Sequence, residues 1–270
     1  MNCGCVPASL FKYYSLEGVV KTLSTNTLKW EIPSDENDLF EARAIGWNKD
    51  SIQRMFSDDQ DAMVSRSDAI FNSAGVQKRI SHIAAYLSFS TVCDNILMWS
   101  HYAERNIGAC IEFNVARLGD IATNLKKVKY APELSDVRKR LPPIGDHSCD
   151  EIQNQSCEFL SYKAKEWEYE QEWRSIIPPL AKCIFSTMVD DGRFILLSMI
   201  PDGAITRVIF GNKMPASTRI ALAKFAKDKH TGCTFAEINP DRDRYKLNVE
   251  DLGMEVYSQK TSVIAVNNPQ

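Results

Sequence analysis

The sequence carries many short strand patterns but lacks the regular strand–helix–strand alternation that a doubly wound parallel sheet requires. SLFKYY (9–14), TLKWEI (27–32), AYLSFSTV (85–92), ACIEFN (109–114) and VKYA (128–131) read as strands. RSIIP (174–178), CIFST (183–187), GRFILLSMIP (192–201) and TRVIFG (206–211) form a second series, with CTFAEI and RYKLNVEDL as final strands. Helical spacing is more local. Leu16, Val19, Val20 and Leu23 fall at i, i+3, i+4 and i+7 and predict a helix over 16–25. Further helices are expected over 50–84, 95–106 (Asp94 as cap, Gly108 as stop), 116–126, 150–165 and 216–228. Pro33 opens a polar loop over 33–42, and Pro142, Pro143 and Gly145 mark a flexible one within 132–150. The expectation is a mixed α+β fold in a single domain over 1–270, with its core at about 10–235 and tails at 1–8 and 258–270.

With 44 % hydrophobic residues among 270, the chain can bury a sizeable core. Its net charge of −3 is no global footprint for nucleic acid, although one groove can still be basic. No apolar run approaches the ~18 residues of a membrane span, and the N-terminus has no secretory pattern. A cytoplasmic protein with eight free thiols is therefore expected, and no membrane partner. Four histidines without helical pairing, and an isolated Cys3-Gly-Cys5, argue against a metal centre, so no metal is expected. No GxGxxG and no P-loop lysine occurs, which excludes nucleotide binding by those devices.

Three constellations can carry chemistry. In EWEYEQEWR (166–174), Glu166, Glu168, Glu170, Glu172 and Arg174 alternate with Trp167, Tyr169, Gln171 and Trp173. As a strand over 168–176 this stretch would place its glutamates on one face. The bland reading is a solvated acidic edge. Crowded carboxylates repel, however, and crowding can raise a pKa or set a carboxylate against a developing cation. In NILMWSHYAERNIGACIEF (95–113), one short helix presents Trp99, His101 and Tyr102, which can hold a flat ligand or can simply be core. In LFKYYS (10–15) and SDENDLFE (34–41), the polar members are Lys12, Asp38 and Glu41, although Asn37-Asp38 is better read as fixing a turn by side-chain to backbone bonds.

The motifs LFKYYS, NDLFE, SFS, MWSHYA, VKY and K-x-x-x-W-E-Y-E-Q-E-W-R, in this order, resemble a family of bacterial domains of unknown function linked to abortive infection and phage defence. The resemblance runs from about 10 to about 212. The chain departs from it with Tyr14 where the family has Arg and Leu39 where it has Pro. A second resemblance, to the ADP-ribosyltransferase superfamily, rests on the order strand, short helix, short strand and late Glu-x-Glu. It implies a split, mainly antiparallel sheet flanked by helices, with NAD as substrate. It also implies that Lys12 and Tyr14 on the first strand, with Trp99, His101 and Tyr102, bind NAD. Glu172 would stabilise the oxocarbenium-like transition state, and Glu170 would position or deprotonate the acceptor. The acceptor (nucleic acid, protein or water) and any antitoxin or defence-system partner are left open.

Two other classes compete. Asp38, Glu41, Glu170 and Glu172 around Mg²⁺ would make a nuclease, distinguished by sensitivity to EDTA. A non-catalytic sensor or antitoxin-like module would use the aromatic motifs for binding and show them as an exposed patch or a buried cluster without a cleft.

Overall fold

A computed structural model describes residues 5–32, 84–140, 157–177, 184–188 and 194–253. The expected helix over 50–84, most of that over 150–165, and Asp38 and Glu41 lie outside these residues.

The chain begins with strand β1 (Ser9–Tyr14), helix α1 (Leu16–Thr25) and β2 (Thr27–Trp30). The middle contains β3 (Ala85–Ser90), α2 (Ile96–His101), β4 (Ala109–Asn114), α3 (Asp120–Thr123), β5 (Leu125–Lys127), β6 (Lys129–Ala131) and α4 (Leu134–Arg140). After β7 (Tyr162–Ala164) and β8 (Glu172–Ile177) come β9 (Phe185–Met188), β10 (Phe194–Met199), β11 (Ile205–Phe210), α5 (Ala216–Lys229), β12 (Thr234–Pro240) and β13 (Leu247–Asp251). Eight strands form one sheet in the order β13-β12-β11-β4-β1-β3-β8-β5. All its neighbours are antiparallel except β11 and β12, so the fold is α+β with a mixed, mostly antiparallel sheet. Strands β2, β10 and β9 make a second sheet, and β6 and β7 a parallel pair.

Local chemistry explains most of these elements. Ser15 caps α1 by accepting a hydrogen bond from the Gly18 N–H at 3.1 Å. Val19 and Leu23 of α1, and Leu222, Ala223 and Ala226 of α5, pack on one face of the large sheet over Leu10, Leu87, Phe89, Phe113, Trp173 and Phe210. The opposite face carries two smaller clusters, one around Tyr13, Met98 and Trp99 and one around Tyr86, Phe159 and Ile176.

The segment expected as one helix over 95–106 is shorter. Asn95, not Asp94, caps it, through Oδ1 accepting from the Leu97 and Met98 N–H groups. It ends at His101, and Glu104, Arg105 and Asn106 all take positive φ (48°, 54° and 70°). This left-handed turn costs energy for L residues. Backbone crowding fixes it: a Cβ on Gly108 would lie 1.9 Å from the Tyr14 carbonyl oxygen, and one on Gly211 2.1 Å from that of Asn106. The Gly211 N–H also donates to the Gly108 carbonyl at 2.9 Å. Gly108→Ala is therefore expected to destabilise the fold by about 1–3 kcal/mol or more, because backbone cannot yield as a side chain can. Urea denaturation should show a lower midpoint at unchanged slope. The helix expected over 116–126 is a 3-10 turn at Val115–Arg117 followed by α3.

Candidate active site

Strands β1 and β4 are paired over six residues, whereas β1 and β3 share the single pair Phe11 and Ser90. Beside that loosely joined seam lies a cleft of about 270 Å³. Its wall carries the cations Lys12, Lys163 and Arg174 and the carboxylates Glu31, Glu170 and Glu172. Phe11, Tyr13, Phe89, Met98 and Tyr102 supply apolar surface.

Strand β8 builds the charged wall by simple alternation. Trp173 faces the main core beside Phe89, while Glu172 and Arg174 point the other way. Their partners across the ladder are Ser90 and Ser88, small enough to leave room for a carboxylate and a guanidinium. Arg174 is fully buried. Its Nε donates to Glu172 Oε1 at 2.7 Å and its Nη2 to Oε2 at 3.2 Å, while Nη1 donates to the Leu160 carbonyl at 2.8 Å. The guanidinium also lies 4.6 Å from the Tyr86 ring centroid. Burial alone would raise the Glu172 carboxyl. Arg174 and then Lys163 outweigh that and hold it down at about 2.

Glu170 reaches the same wall by a different route. Lys165–Glu170 is a 3-10 helix rather than part of a strand, and Gln171 ends it in the left-handed region at φ 46°. That bend is anchored by Thr91, whose N–H donates to the Gln171 carbonyl and whose hydroxyl donates to Gln171 Oε1. Glu170 is thereby turned inward, where the Tyr102 hydroxyl donates to Oε1 and Lys163 Nζ to Oε2, both at 2.6 Å. Burial pushes its carboxyl above the usual range, partly offset by Lys163 and reinforced by Glu172. Burial and the adjoining Glu170 raise the Tyr102 hydroxyl in turn, which keeps it protonated as the donor. Glu166 and Glu168 are exposed, as a 3-10 helix allows and a continuous strand facing the cleft would not.

The other expected site residues divide. Lys12 enters the cleft, but its Nζ donates to Glu31 Oε1 at 3.0 Å and to the Ser88 carbonyl at 3.1 Å, bridging β1 and β3 where the ladder is weakest. Tyr102 lines the cleft. Trp99 does not: it is fully buried, donates to the Cys93 carbonyl at 2.7 Å and meets Tyr13 edge-to-face. His101 is exposed and Tyr14 packs against the main core, both outside the cleft lining. Lys163, Arg174, Glu31 and Ser88 were not singled out as site residues. The lysine of K-x-x-x-W-E and the serines of SFS were the available signals.

Among the described residues no group of three or more His, Cys, Asp or Glu side chains is arranged to hold a metal, and no helix is long and apolar enough to cross a membrane. Residues 98–175 match the profile of a family described as protein of unknown function (DUF2971). This segment runs from α2 through β8 and contains Tyr102, Lys163, Glu170, Glu172 and Arg174. No curated protein and no solved structure matches the chain.

Proposed function

We propose that the cleft breaks the N-glycosidic bond of NAD, as an ADP-ribosyltransferase or NAD glycohydrolase serving as a toxin or phage-defence effector. One observation carries this reading: two carboxylates share a wall but are driven in opposite directions, Glu172 toward the ionised form and Glu170 toward protonation. Divergent neighbours of this kind allow acid/base and electrostatic roles to be divided between two like groups. Glu172 offers a fixed negative charge to a positive centre developing at the ribose, the effect that preorganised electrostatics supplies. Glu170, turned inward beside Tyr102, holds or takes a proton at the acceptor. Lys12 holds the β1–β3 seam of the same cleft.

The size and lining of the cleft favour one end of a dinucleotide. About 270 Å³ falls just below the roughly 300–1,000 Å³ of small-ligand sites, room for a ribose and one ring among Phe11, Tyr13 and Phe89. The resemblance of the motifs to a family linked to phage defence is what favours the effector role. A non-catalytic binding module is the second reading, favoured by the carboxylate partner that each of the three cleft cations already has. Incubation of the purified protein with NAD, EDTA and cell lysate separates the two. Nicotinamide release or label transfer supports the enzyme, and absence of turnover with folded protein and candidate acceptors supports the module.

A further inference from the structure

We infer that Lys163 is a positioning residue of the carboxylate pair: its ammonium, wedged between Glu170 and Glu172, aims Glu170 into the cleft and tunes how readily Glu170 takes up a proton. Only its kinetic consequence rests on the glycosidic reading.

The fold delivers this lysine deliberately far from solvent. Lys163 sits at the centre of β7, opposite Tyr130 in the parallel β6–β7 pair. The Tyr130 hydroxyl accepts the Glu172 N–H at 2.8 Å, so the same small ladder fixes the glutamate backbone and the lysine together. The ammonium is 2.6 Å from Glu170 Oε2 and 3.3 Å from Glu172 Oε2, at 10 % side-chain exposure. The Trp167 ring covers it at 4.9 Å. Burial alone would lower its pKa, but Glu172 and Glu170 outweigh that and keep it charged.

The two bridges are unequal in consequence. Glu172 has Arg174 as a second, closer cation at 2.7 Å, whereas the Glu170 carboxylate is met by Lys163 and the neutral Tyr102. Removing Lys163 should therefore act mainly on Glu170. The charged and titratable groups around the pair are Tyr102 just after α2, Tyr130 from β6, Tyr169 from the 3-10 helix, Arg174 from β8, and Lys12 of β1 with Glu31 in the same cleft. Of the two cations among them, Arg174 points to Glu172 and Lys12 is paired with Glu31.

Carboxyl-¹³C glutamate NMR of the full chain tests this without turnover, with resonances assigned through Glu170→Gln and Glu172→Gln. In Lys163→Met the Glu170 midpoint should rise by at least about one unit, a tenfold change in proton affinity, while Glu172 moves less. Lys163→Arg should restore it in part. Equal movement of both glutamates, or none, overturns the inference. Should Lys163→Met fail to fold, wild-type protein decides: the Lys163 ¹⁵Nζ shift should step at the Glu170 midpoint, and its absence overturns the proposal equally. If NAD is turned over, the acid limb of kcat should move with the Glu170 midpoint in Lys163→Arg. NMR effects without turnover would leave the positioning role standing and remove the glycosidic reading.

Discussion

Arg174→Ala should lower folding stability by about 3–5 kcal/mol, the cost of leaving a buried charge without its partner. Glu172 is buried with both oxygens committed to Arg174, and Lys163, at 3.3 Å, is already shared with Glu170. The truncation also frees the Leu160 carbonyl and removes the guanidinium from the Tyr86 face. The sign of the pH dependence follows from the depressed carboxyl. Glu172 falls from an ordinary 4.5 to about 2 on folding, so its contribution is complete above 4.5 and is lost as pH drops through about 2. Without Arg174 the carboxyl protonates at higher pH, which relieves the buried charge. The stability gap between wild type and variant should thus be largest near neutral pH and narrow in acid. Replacing both residues by apolar side chains should cost less than Arg174→Ala alone. Urea midpoints across pH check all three points; a gap that does not change with pH would mean that Glu172 is not the stranded charge.

Glu170→Gln should reduce nicotinamide release by about 10²–10⁴-fold while leaving the melting temperature near wild type, the range expected for losing a general acid or base. The amide keeps the shape of the carboxylate and can still accept from Tyr102. Since burial already favours the uncharged form of Glu170, a neutral isostere removes chemistry more than stability. The raised carboxyl also predicts an acid limb in the wild-type rate, set by Glu170 and lost from the residual activity of the variant. Glu172→Gln should lose activity too, but it strands Arg174 and will melt earlier. A Glu170→Gln protein with wild-type kcat would remove Glu170 from the chemistry.

Apolar spacing was enough to place β1, α1, β4, β11 and α5 within a residue or two, because each has its own periodicity and, for α1, its own cap. It was also enough to put Trp173 in the core and Glu172 on the opposite face. The alternation of EWEYEQEWR misled further upstream. A run of Glu and aromatic residues at every second position fits a strand, but the left-handed Gln171 and its ties to Thr91 are invisible in a local pattern. The same holds for α2, where backbone contacts between Gly108, Tyr14 and Gly211 stop a helix that propensity alone would continue.

The sequence by itself determined the α+β class, the main strands and the glutamate-rich segment, since periodicity and residue type act over a few neighbours. Only the tertiary structure decided the division of labour within that segment. Lys163 and Arg174 meet the glutamates through β6–β7 pairing and the β3–β8 register. Tyr102, just past the end of α2, reaches Glu170 from 68 residues away, while Trp99, three residues earlier and within that helix, is turned into the core. Burial and long-range charge set the properties of a carboxylate, and neither is encoded in its immediate neighbours.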